Sequence, residues 1–319
     1  MDRSFPVLEK YSFIPVIAGP TASGKSALAI EICREADGEL VCADSMQIYK
    51  GLDIGTAKDT EVDLGGIPHY MTDLIAPGTD FSVYDYVSTV LPVIKDILER
   101  GKLPVVCGGT GQYISSLLYG LDYGTGDDEA ELRARTELEE ELNRSGIDVL
   151  YARLVEEDPE AAKLIHPNNT RRVIRALAVH KALGITFSEK NRRSKEKGPE
   201  YPFKVFMIDW DRAELYSRIN RRVGIMIENG LVDEAKMLID SGVSRSSTCW
   251  QAIGYKEMLK YLNGEETLED AADRIRIGTR HYAKRQLTWL RNMGDDVTCL
   301  KPDSPEVNAA IVLGQCKGK

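Results

Sequence analysis

Short apolar runs alternate with segments of helical periodicity along this chain of 319 residues, and the alternation predicts an α/β fold. The runs predicted to be strands occupy residues 13–18, 38–43, 103–107 and 203–210. Helices are predicted over residues 27–32, 81–101 and 212–229, with Gly101 and Gly230 as stop signals. Pro92 falls inside the second of these helices and predicts a kink or a break there.

The character of the chain changes between residues 121 and 202, where no strand pattern occurs. Charged helical patterns are predicted over residues 127–142 and 159–183, and the polar, basic stretch 191–198 is predicted to be a linker. We therefore predict an α/β core formed by residues 1–120 and 203–319, and an inserted all-helical module formed by residues 121–202.

A glycine-rich loop lies between the first predicted strand and the first predicted helix. Its residues are Gly19, Pro20, Thr21, Ala22, Ser23, Gly24, Lys25 and Ser26. Glycines let backbone N–H groups turn around an anion, and the following helix presents its positive end to the same anion. Lys25 is placed to reach the outer phosphate oxygens and the Ser26 hydroxyl to hold Mg²⁺. The sequence therefore predicts a P-loop NTPase-like parallel sheet with flanking helices that binds a diphosphate or a triphosphate.

The ends of the next two predicted strands carry further candidates. Asp44 ends one strand, and because ligands bind beyond the carboxyl ends of strands in doubly wound sheets, its carboxylate would face the phosphate site. An ordinary loop or helix-cap aspartate is the alternative. The other strand runs into Gly108, Gly109, Thr110 and Gly111, where a nucleoside triphosphatase usually has an acid. This weakens an ATPase interpretation and indicates that another group lies close to this backbone.

Composition and charge bring in a nucleic acid as a candidate partner. The chain is 43% apolar and 29% charged, with a formal net charge of −9. Residues 163–197 nevertheless hold ten Lys or Arg against two Glu, and residues 274–291 hold six with no acid. Both basic stretches are candidates for binding a nucleic-acid backbone, with a solvated helix face as the plain alternative.

The same composition predicts a cytoplasmic protein. The N-terminus has no apolar signal region, and no apolar run approaches the length of a membrane span, so we expect no membrane partner. The six cysteines form no Cys-x-x-Cys pair, so we expect reduced thiols and no zinc site.

Three groups of basic residues at helical spacing are candidates for phosphate binding. They are Arg171, Arg172 and Arg175; Arg218, Arg221 and Arg222; and Arg276, Arg280 and Lys284. An arginine of the second group would clamp a leaving phosphate, although spacing does not say which one. Tyr282 and Trp289 lie within the third group, which suits a nucleic-acid backbone but is also typical of a core helix.

These motifs, in this order, resemble the bacterial tRNA dimethylallyltransferases, also called tRNA isopentenyltransferases. The matching segments are residues 19–26, 44–49, 51–58, 108–113, 171–177, 222–230, 252–255 and 279–289. The chain departs from the family pattern at Gln112, where Leu is more common, and at Asn169, where Asp is usual.

The resemblance implies transfer of a dimethylallyl group from dimethylallyl diphosphate to N6 of adenosine 37, next to the tRNA anticodon. Lys25, Ser26 with Mg²⁺, and Arg222 would neutralise the charge of the departing diphosphate. Asp44 would act as general base toward the N6 proton. Thr110 and the glycines beside it would let the adenine and the allyl group approach closely.

The resemblance also implies contacts with the anticodon stem-loop of tRNA, and we expect a monomer. The implied contacts are Asp44, Ser45, Met46, Gln47, Thr110, Arg133, Arg171, Arg172, Val173, Ile174, Arg175, Gln251, Ala252, Ile253, Gly254, Tyr255, Lys256, Arg280 and Lys284.

Two rival functions stay open on the sequence alone. A small-molecule kinase would use ATP in the same loop and would need neither basic stretch. An RNA-binding P-loop protein without chemistry would keep its function when Asp44 is replaced. A regulatory GTPase is not favoured, because the sequence contains no Asn-Lys-x-Asp motif for reading guanine.

Overall fold

A parallel sheet organises the computed structural model, which describes residues 5–121 and 129–317. Its strands are β1 (Ile14–Ala18), β2 (Gly38–Cys42), β3 (His69–Tyr70), β4 (Leu103–Gly108), β5 (Phe203–Ile208) and β6 (Val297–Leu300). They lie in the order β3-β2-β4-β1-β5-β6, and every neighbouring pair is parallel. The predicted α/β class with a parallel sheet is confirmed.

Helices precede, connect and follow the strands. They are α1 (Pro6–Lys10), α2 (Lys25–Ala36), α3 (Glu61–Leu64), α4 (Val83–Glu99), α5 (Gly111–Tyr119), α6 (Glu129–Ser145), α7 (Ile147–Glu157), α8 (Pro159–Leu164), α9 (Thr170–Leu183), α10 (Phe187–Lys197), α11 (Arg212–Glu228), α12 (Leu231–Asp240), α13 (Leu259–Leu262), α14 (Leu268–Arg291) and α15 (Pro305–Cys316). In the part of the chain that the structure describes, none of them combines the length and the apolar character needed to cross a bilayer.

Burial explains why the central strands are continuous apolar runs. Every residue of β1, β2 and β4 is buried, as expected for a parallel sheet with both faces covered. α2 packs against these three strands, and α15 packs against α2. The sheet is therefore a rigid frame for the loops at its edges.

The chain divides into two compact units. The first comprises Met1–Phe81, Tyr86–Ile114 and Tyr201–Lys319, and contains the sheet. The second comprises Ser82–Asp85 and Ser115–Glu200. Residues 122–128, which include the predicted beginning of the module and of its first helix, lie outside the described residues.

The described part of the second unit comprises residues 82–85, 115–121 and 129–200, and residues 129–200 contain helices α6 to α10 and no strand. Its core is formed by buried apolar side chains from α6, α7, α8 and α9, among them Leu138, Leu154 and Leu177. Because apolar residues at i, i+3 and i+4 line one face of each helix, this unit buries a core of its own.

Several predicted elements are corrected by the structure. Pro92 lies within the continuous helix α4 and does not split it, because Val90 and Ile94 on either side are fully buried and tertiary packing overrides local propensity. Residues 191–198 are not a linker, since α10 continues to Lys197. Its polar sequence is stabilised by the ion pair between Glu189 and Arg193, one turn apart, at 2.7 Å.

Two edge strands, β3 and β6, were not predicted. β3 has only two residues, and it is defined by backbone pairing of His69 with Leu40 and of Tyr70 with Val41. β6 is a short, half-buried strand that pairs with β5. Such short strands carry too few residues to show a periodic pattern in the sequence.

A buried ion pair closes the amino-terminal end of β2. Glu39 is almost fully buried, and both of its carboxylate oxygens accept hydrogen bonds from Arg100, at 2.5 and 2.7 Å. This bidentate pair holds the pKa of Glu39 below its usual value. A folded-state pKa below the unfolded one adds stability above the unfolded pKa, and this stability disappears as the pH falls through the folded pKa.

We predict that Arg100→Ala lowers the free energy of unfolding at pH 7 by about 2–4 kcal/mol, because it leaves the Glu39 carboxylate buried and unpaired. Urea unfolding measures the loss. The matched control is Lys95→Ala in α4, the helix that ends just before Arg100; it breaks an exposed pair with Glu99 and changes stability by less than about 1 kcal/mol. Equal losses for the two variants would contradict the assignment, as would an Arg100→Ala deficit that does not shrink at acidic pH.

Candidate active site

The glycine-rich loop joins β1 to α2, and side chains of the first unit hold its carbonyl groups. Gly24, with φ of +88°, turns the chain into α2. Arg218 Nε donates to the carbonyl of Ala22 at 2.8 Å, and Trp210 Nε1 donates to the carbonyl of Ser23 at 2.8 Å. With these carbonyls occupied, the loop offers its amides and the positive end of α2 to an anion.

The three arginines of α11 have different surroundings, which resolves the question that spacing left open. Arg218 holds the loop and lies over the Trp210 ring, 4.4 Å from its centroid. Arg221 is exposed. Arg222 lines a cavity beside the loop and donates from Nη2 to the carbonyl of Ala57 at 3.4 Å. Burial lowers the pKa of Arg222, against the opposing effect of nearby carboxylates.

Gln286 is a site residue that the sequence reasoning did not single out. Its Oε1 accepts from the amide of Thr21 at 3.2 Å, and its Nε2 donates to the carbonyl of Gly109 at 2.9 Å. The side chain is buried. It therefore connects the phosphate loop to the segment that follows β4. The only signal for it in the sequence is its place in the matching segment 279–289.

Asp44 and Thr110 follow the neighbouring strands β2 and β4. Thr110 Oγ1 accepts from the amide of Ser45 at 2.9 Å, and Asp44 Oδ1 accepts from the amide of Met46 at 2.9 Å. The Tyr282 hydroxyl is hydrogen-bonded to the side chain of Thr110, and burial raises the pKa of Tyr282. These hydrogen bonds fix the orientation of a carboxylate and two hydroxyls at one end of the sheet.

The glycines at the end of β4 pack against this chain's own atoms. A Cβ on Gly108 would lie 2.2 Å from the carbonyl oxygen of Ala43, and one on Gly109 would lie 2.2 Å from Nε2 of Gln286. The expectation of a group close to this backbone is confirmed. Protein atoms fill the space that a Cβ would take at Gly108 and Gly109. The implied approach of an adenine and an allyl group to this backbone stays a prediction.

Two cavities of about 390 and 420 Å³ open beside the phosphate loop. Both are lined by Lys25, Ser26, Ala57, Arg222 and Met226. The first extends to Thr21, Asp44, Ser45, Met46, Gln47, Tyr282 and Gln286, and the second to Gly24, Asp53, Lys58, Asp59 and Asn229. The cationic residues of the loop and of α11 thus lie where the two cavities meet.

Asp59 lines the second cavity and was missed in the sequence because it follows no strand and belongs to no motif. Burial raises the pKa of its carboxyl, and this effect is opposed by a hydrogen bond with Ser26 and by the charges of Lys25 and Arg222. The only signal for Asp59 in the sequence is that it directly follows the matching segment 51–58.

α14 presents Gly278, Tyr282 and Arg285 to the first cavity. Arg280 lies instead over the ring of Tyr216, 5.8 Å from its centroid, and Lys284 is exposed. The two predicted contacts thus occupy a different face of α14 from the residues that line the cavity.

Arg276, the third member of that predicted stripe, is engaged within α14. Its Nη1 pairs with Glu269 at 2.5 Å and with Asp273 at 2.7 Å. Its place in a basic stripe is corrected, because these acids precede the stretch over which charge was counted and neutralise it.

The segment from Gln251 to Lys256 joins two 3₁₀ turns, Thr248–Gln251 and Lys256–Met258. Gln251, Ala252, Ile253 and Lys256 line the first cavity. Gly254, with φ of +124°, turns the chain beside Leu231. Tyr255 is fully buried, so its assignment as an RNA contact is corrected to packing.

The second unit carries the remaining predicted RNA contacts. Arg171 and Arg172 are exposed at the start of α9, and no acid among the described residues forms an ion pair with either. Arg175 lies 6.0 Å from the centroid of the Phe187 ring. Val173 and Ile174 are buried in the core of this unit, so their assignment as contacts is corrected.

Arg133 and several other cations of this unit are paired with acids. Arg133 bonds Glu129 at 2.6 Å within α6. Lys181 pairs with Glu137, and Lys190 lies 3.7 Å from Glu131. These acids lie outside or at the edge of the stretch counted as basic, so the positive surface is smaller than the sequence count suggests.

The oxygen donors beside the loop fit magnesium, which prefers hard oxygen ligands and often keeps several waters. The Ser26 hydroxyl and the Asp59 carboxylate are hydrogen-bonded to each other and line one cavity. Over the described residues, no group of three or more His, Cys, Asp or Glu is arranged to hold a metal ion. The donor set therefore suits an ion bound largely by phosphate and water.

Comparison with known proteins identifies relatives over most of the chain. The family model described as IPP transferase matches residues 47–293, and one described as isopentenyl transferase matches residues 13–74. A tRNA dimethylallyltransferase of Thermoanaerobacter sp. (strain X514) is 47% identical over 280 residues, which cover 87% of this chain and 88% of the relative.

Solved structures give the same result for the fold. A full-length tRNA isopentenylpyrophosphate transferase from Bacillus halodurans aligns with a TM-score of 0.70 and 41% identity, over 95% of this chain and 96% of that one. A eukaryotic dimethylallyltransferase acting on tRNA aligns with a TM-score of 0.78 and 30% identity, over 90% of this chain and 73% of that one.

We predict that Asp59→Asn raises the free energy of unfolding of the ligand-free protein at pH 7. Because the pKa of Asp59 is raised in the folded state, its contribution to stability falls as the pH rises through that pKa, and the amide removes this decrease. Urea unfolding at several pH values measures the difference, which should shrink as the pH falls. Asp63→Asn, whose pKa is lowered by Thr60, should do the opposite and destabilise. A destabilised Asp59→Asn protein would contradict the prediction.

Proposed function

Because the chain belongs to the IPP transferase family of tRNA dimethylallyltransferases, we propose that it transfers the dimethylallyl group of dimethylallyl diphosphate to N6 of adenosine 37 in the tRNA anticodon loop. The allylic C–O bond breaks, its electron pair leaves with the diphosphate, and a C–N bond forms at N6. A proton then leaves N6, and the products are modified tRNA and diphosphate.

One observation carries this proposal. The phosphate loop, with Lys25 and Ser26, lines the same cavity as the strand-end carboxylate of Asp44. A leaving-group site and a proton acceptor are thus held by one rigid sheet edge, which is the arrangement that transfer to an amine requires.

The donor diphosphate would lie where the two cavities meet. Lys25 and Arg222 line both cavities and would neutralise the negative charge that grows on the leaving oxygen. Arg222 is well suited to this because it is half-buried and its hydrogen bond to the carbonyl of Ala57 already holds it beside the loop. Ser26 and Asp59 would hold Mg²⁺, which when bound would neutralise part of the diphosphate charge.

The acceptor adenine would enter the first cavity, where Asp44 receives the N6 proton. The hydrogen bond from the Met46 amide fixes the Asp44 carboxylate, and the Ser45 amide fixes Thr110 beside it. A base in a stacked loop must be turned outward to reach such a cavity. Gln47 and Ile253 also line this cavity and would contact the bases of the loop.

Binding of the anticodon stem-loop would use exposed arginines for the phosphate backbone. Arg171 and Arg172 at the start of α9 are the strongest candidates in the second unit. Arg280 and Lys284 on α14 are further candidates in the first. Phosphate contacts position an RNA without reading its sequence, so these residues would supply affinity. We expect the protein to act as a monomer.

The kinase alternative is not favoured. The end of β4 carries no carboxylate for a nucleotide-bound metal or water, and the relatives found by comparison are named as transferases acting on tRNA.

Radiolabelled dimethylallyl diphosphate and an anticodon stem-loop containing A36-A37-A38 test the proposal. The label should appear on the RNA in a Mg²⁺-dependent reaction, and replacing A37 by guanosine should abolish it. Absence of label on the RNA, together with phosphate transfer from ATP to a small molecule, would contradict the proposal.

We predict that Asp44→Asn lowers the transfer rate by about 10²–10⁴-fold, the usual contribution of a general base, while RNA affinity is retained. Single-turnover transfer and RNA binding separate the two effects. Asp209→Asn is the matched control, because Asp209 also follows a strand, β5, but lies outside the cavity lining. Full activity of Asp44→Asn, or equal loss in the control, would show that another group takes the proton.

We predict that the double variant Arg171→Ala/Arg172→Ala weakens RNA binding and reduces the slope of log K against log salt concentration by about 1–2, since each lost phosphate contact removes about one counterion. Binding titrations at several salt concentrations measure the slope. Arg135→Ala/Arg144→Ala, two arginines on α6 in the same unit, should leave it unchanged. The same slope for all three proteins would refute this surface.

A further inference from the structure

Glu234 is a buried acid of α12 whose partners are backbone amides and one hydroxyl. Its side chain is 5% exposed. Oε2 accepts from the amides of Asp53 and Ile54, each at 2.8 Å, and Oε1 accepts from the amide of Gly55 and the hydroxyl of Tyr255, each at 2.8 Å. Among the described residues no Lys, Arg or His forms an ion pair with it. The carboxylate is therefore held by four neutral donors.

The loop held by Glu234 presents its next carbonyl groups to two residues that line the first cavity. Gln47 Nε2 donates to the carbonyls of Thr56 and Ala57, both at 3.2 Å. Arg222 Nη2 donates to the carbonyl of Ala57 at 3.4 Å. The backbone of residues 53–57 thus connects the hydrogen bonds of a buried acid to those of side chains on both the donor and the acceptor side of the proposed site.

This loop has little freedom to move. A Cβ on Gly55 would lie 2.6 Å from Cζ of Tyr255, so the loop is in direct contact with that ring. Tyr255 is fully buried, and burial together with the neighbouring Glu234 raises the pKa of its hydroxyl, which stays a donor. Ala57 adopts a φ of +51°, a left-handed conformation that a residue with a Cβ keeps only where its surroundings enforce it.

We infer that Glu234 is a positioning residue: its carboxylate fixes the loop of residues 53–57 so that the carbonyls of Thr56 and Ala57 hold Gln47 and Arg222 in the site. The inference rests on the proposed function, because the contribution to the reaction passes through Arg222. Glu234 itself does not line either cavity.

The negative charge of Glu234 is part of this role. An ionised carboxylate has only acceptor sites and matches four converging donors. A glutamine at this position would offer one acceptor oxygen and turn an NH₂ group toward donors, which would displace the loop. Aspartate would keep the charge and all acceptor sites on a shorter side chain.

The experiment compares Glu234→Gln with Glu39→Gln, which changes the other buried glutamate, at the amino-terminal end of β2. Thermal unfolding reports stability, and steady-state transfer reports kcat and KM for dimethylallyl diphosphate. We expect at least a tenfold loss of kcat/KM for Glu234→Gln, with smaller loss for Glu234→Asp. Glu39→Gln should lower the melting temperature but keep kcat/KM within twofold below that temperature. Equal kinetic effects of the two glutamine variants would overturn the inference.

A double-mutant cycle with Arg222→Ala supplies a readout that a purely structural role would not move. If Glu234 acts through Arg222, Glu234→Gln should cost less than twofold in kcat/KM once Arg222 is absent. An undiminished loss in that background would overturn the inference. Should Glu234→Gln fail to fold, the same cycle is run with Tyr255→Phe, which removes one of the four donors and no charge.

The proposed function and the role of Glu234 fail on different results. If wild-type protein transfers no label, the proposed function fails. If wild type transfers label but Arg222→Ala is as fast, the role of Arg222 fails, and that of Glu234 with it. If both of those results support the function but Glu234→Gln and Arg222→Ala are independent, only the role of Glu234 fails.

Discussion

The parallel direction of every strand in the sheet is the constraint on which the site depends. Because β1, β2 and β4 are neighbours and run the same way, their carboxyl ends lie at one edge. The phosphate loop, Asp44 and Thr110 each follow one of these ends. Three segments that are far apart in sequence therefore meet with no special contact to bring them together, and local hydrogen bonds only refine their positions.

Charged side chains lie at this edge of the sheet, although removing a charge from water is unfavourable. Arg222 and Asp59 are both half-buried, and partial burial shifts the pKa of each in the direction that favours its neutral form. Their proximity to one another and to Lys25 offsets part of that cost. A bound diphosphate would supply further compensating charge, so the ligand-free state is the less stable one, a common property of sites that are organised before their ligand arrives.

Much of the fold followed from the sequence because apolar runs and stop signals are local. The two ends of β1, β2, β4 and β5 were each predicted to within two residues. β3 and β6 were too short to show a pattern. Asp44 and the phosphate loop were recognisable because each follows a strand. Gln286 and Glu234 were not, since the backbone groups that they bond are more than 170 residues away in sequence.

The number of charged residues in a stretch of sequence was the poorest predictor of the charge on the protein surface. Arg276 and Lys181 belonged to stretches counted as basic, yet acids one or more turns away, or on another helix, neutralise them. Val173 and Ile174 shared a motif with exposed arginines, but helical geometry sends them to the opposite face and into the core. Sequence proximity therefore grouped buried and exposed side chains of one helix together.

The close packing at the end of β4 also bears on how this fold can change by mutation. An acid at Gly108 or Gly109 would be the first step toward activating water for nucleotide hydrolysis, but any side chain there collides with the backbone of Ala43 or the amide of Gln286. Both obstacles would have to move before such an acid could be tolerated. Nucleotide hydrolysis is thus several coordinated substitutions away from this fold, because the end of β4 has no room for the acid that would promote attack by water.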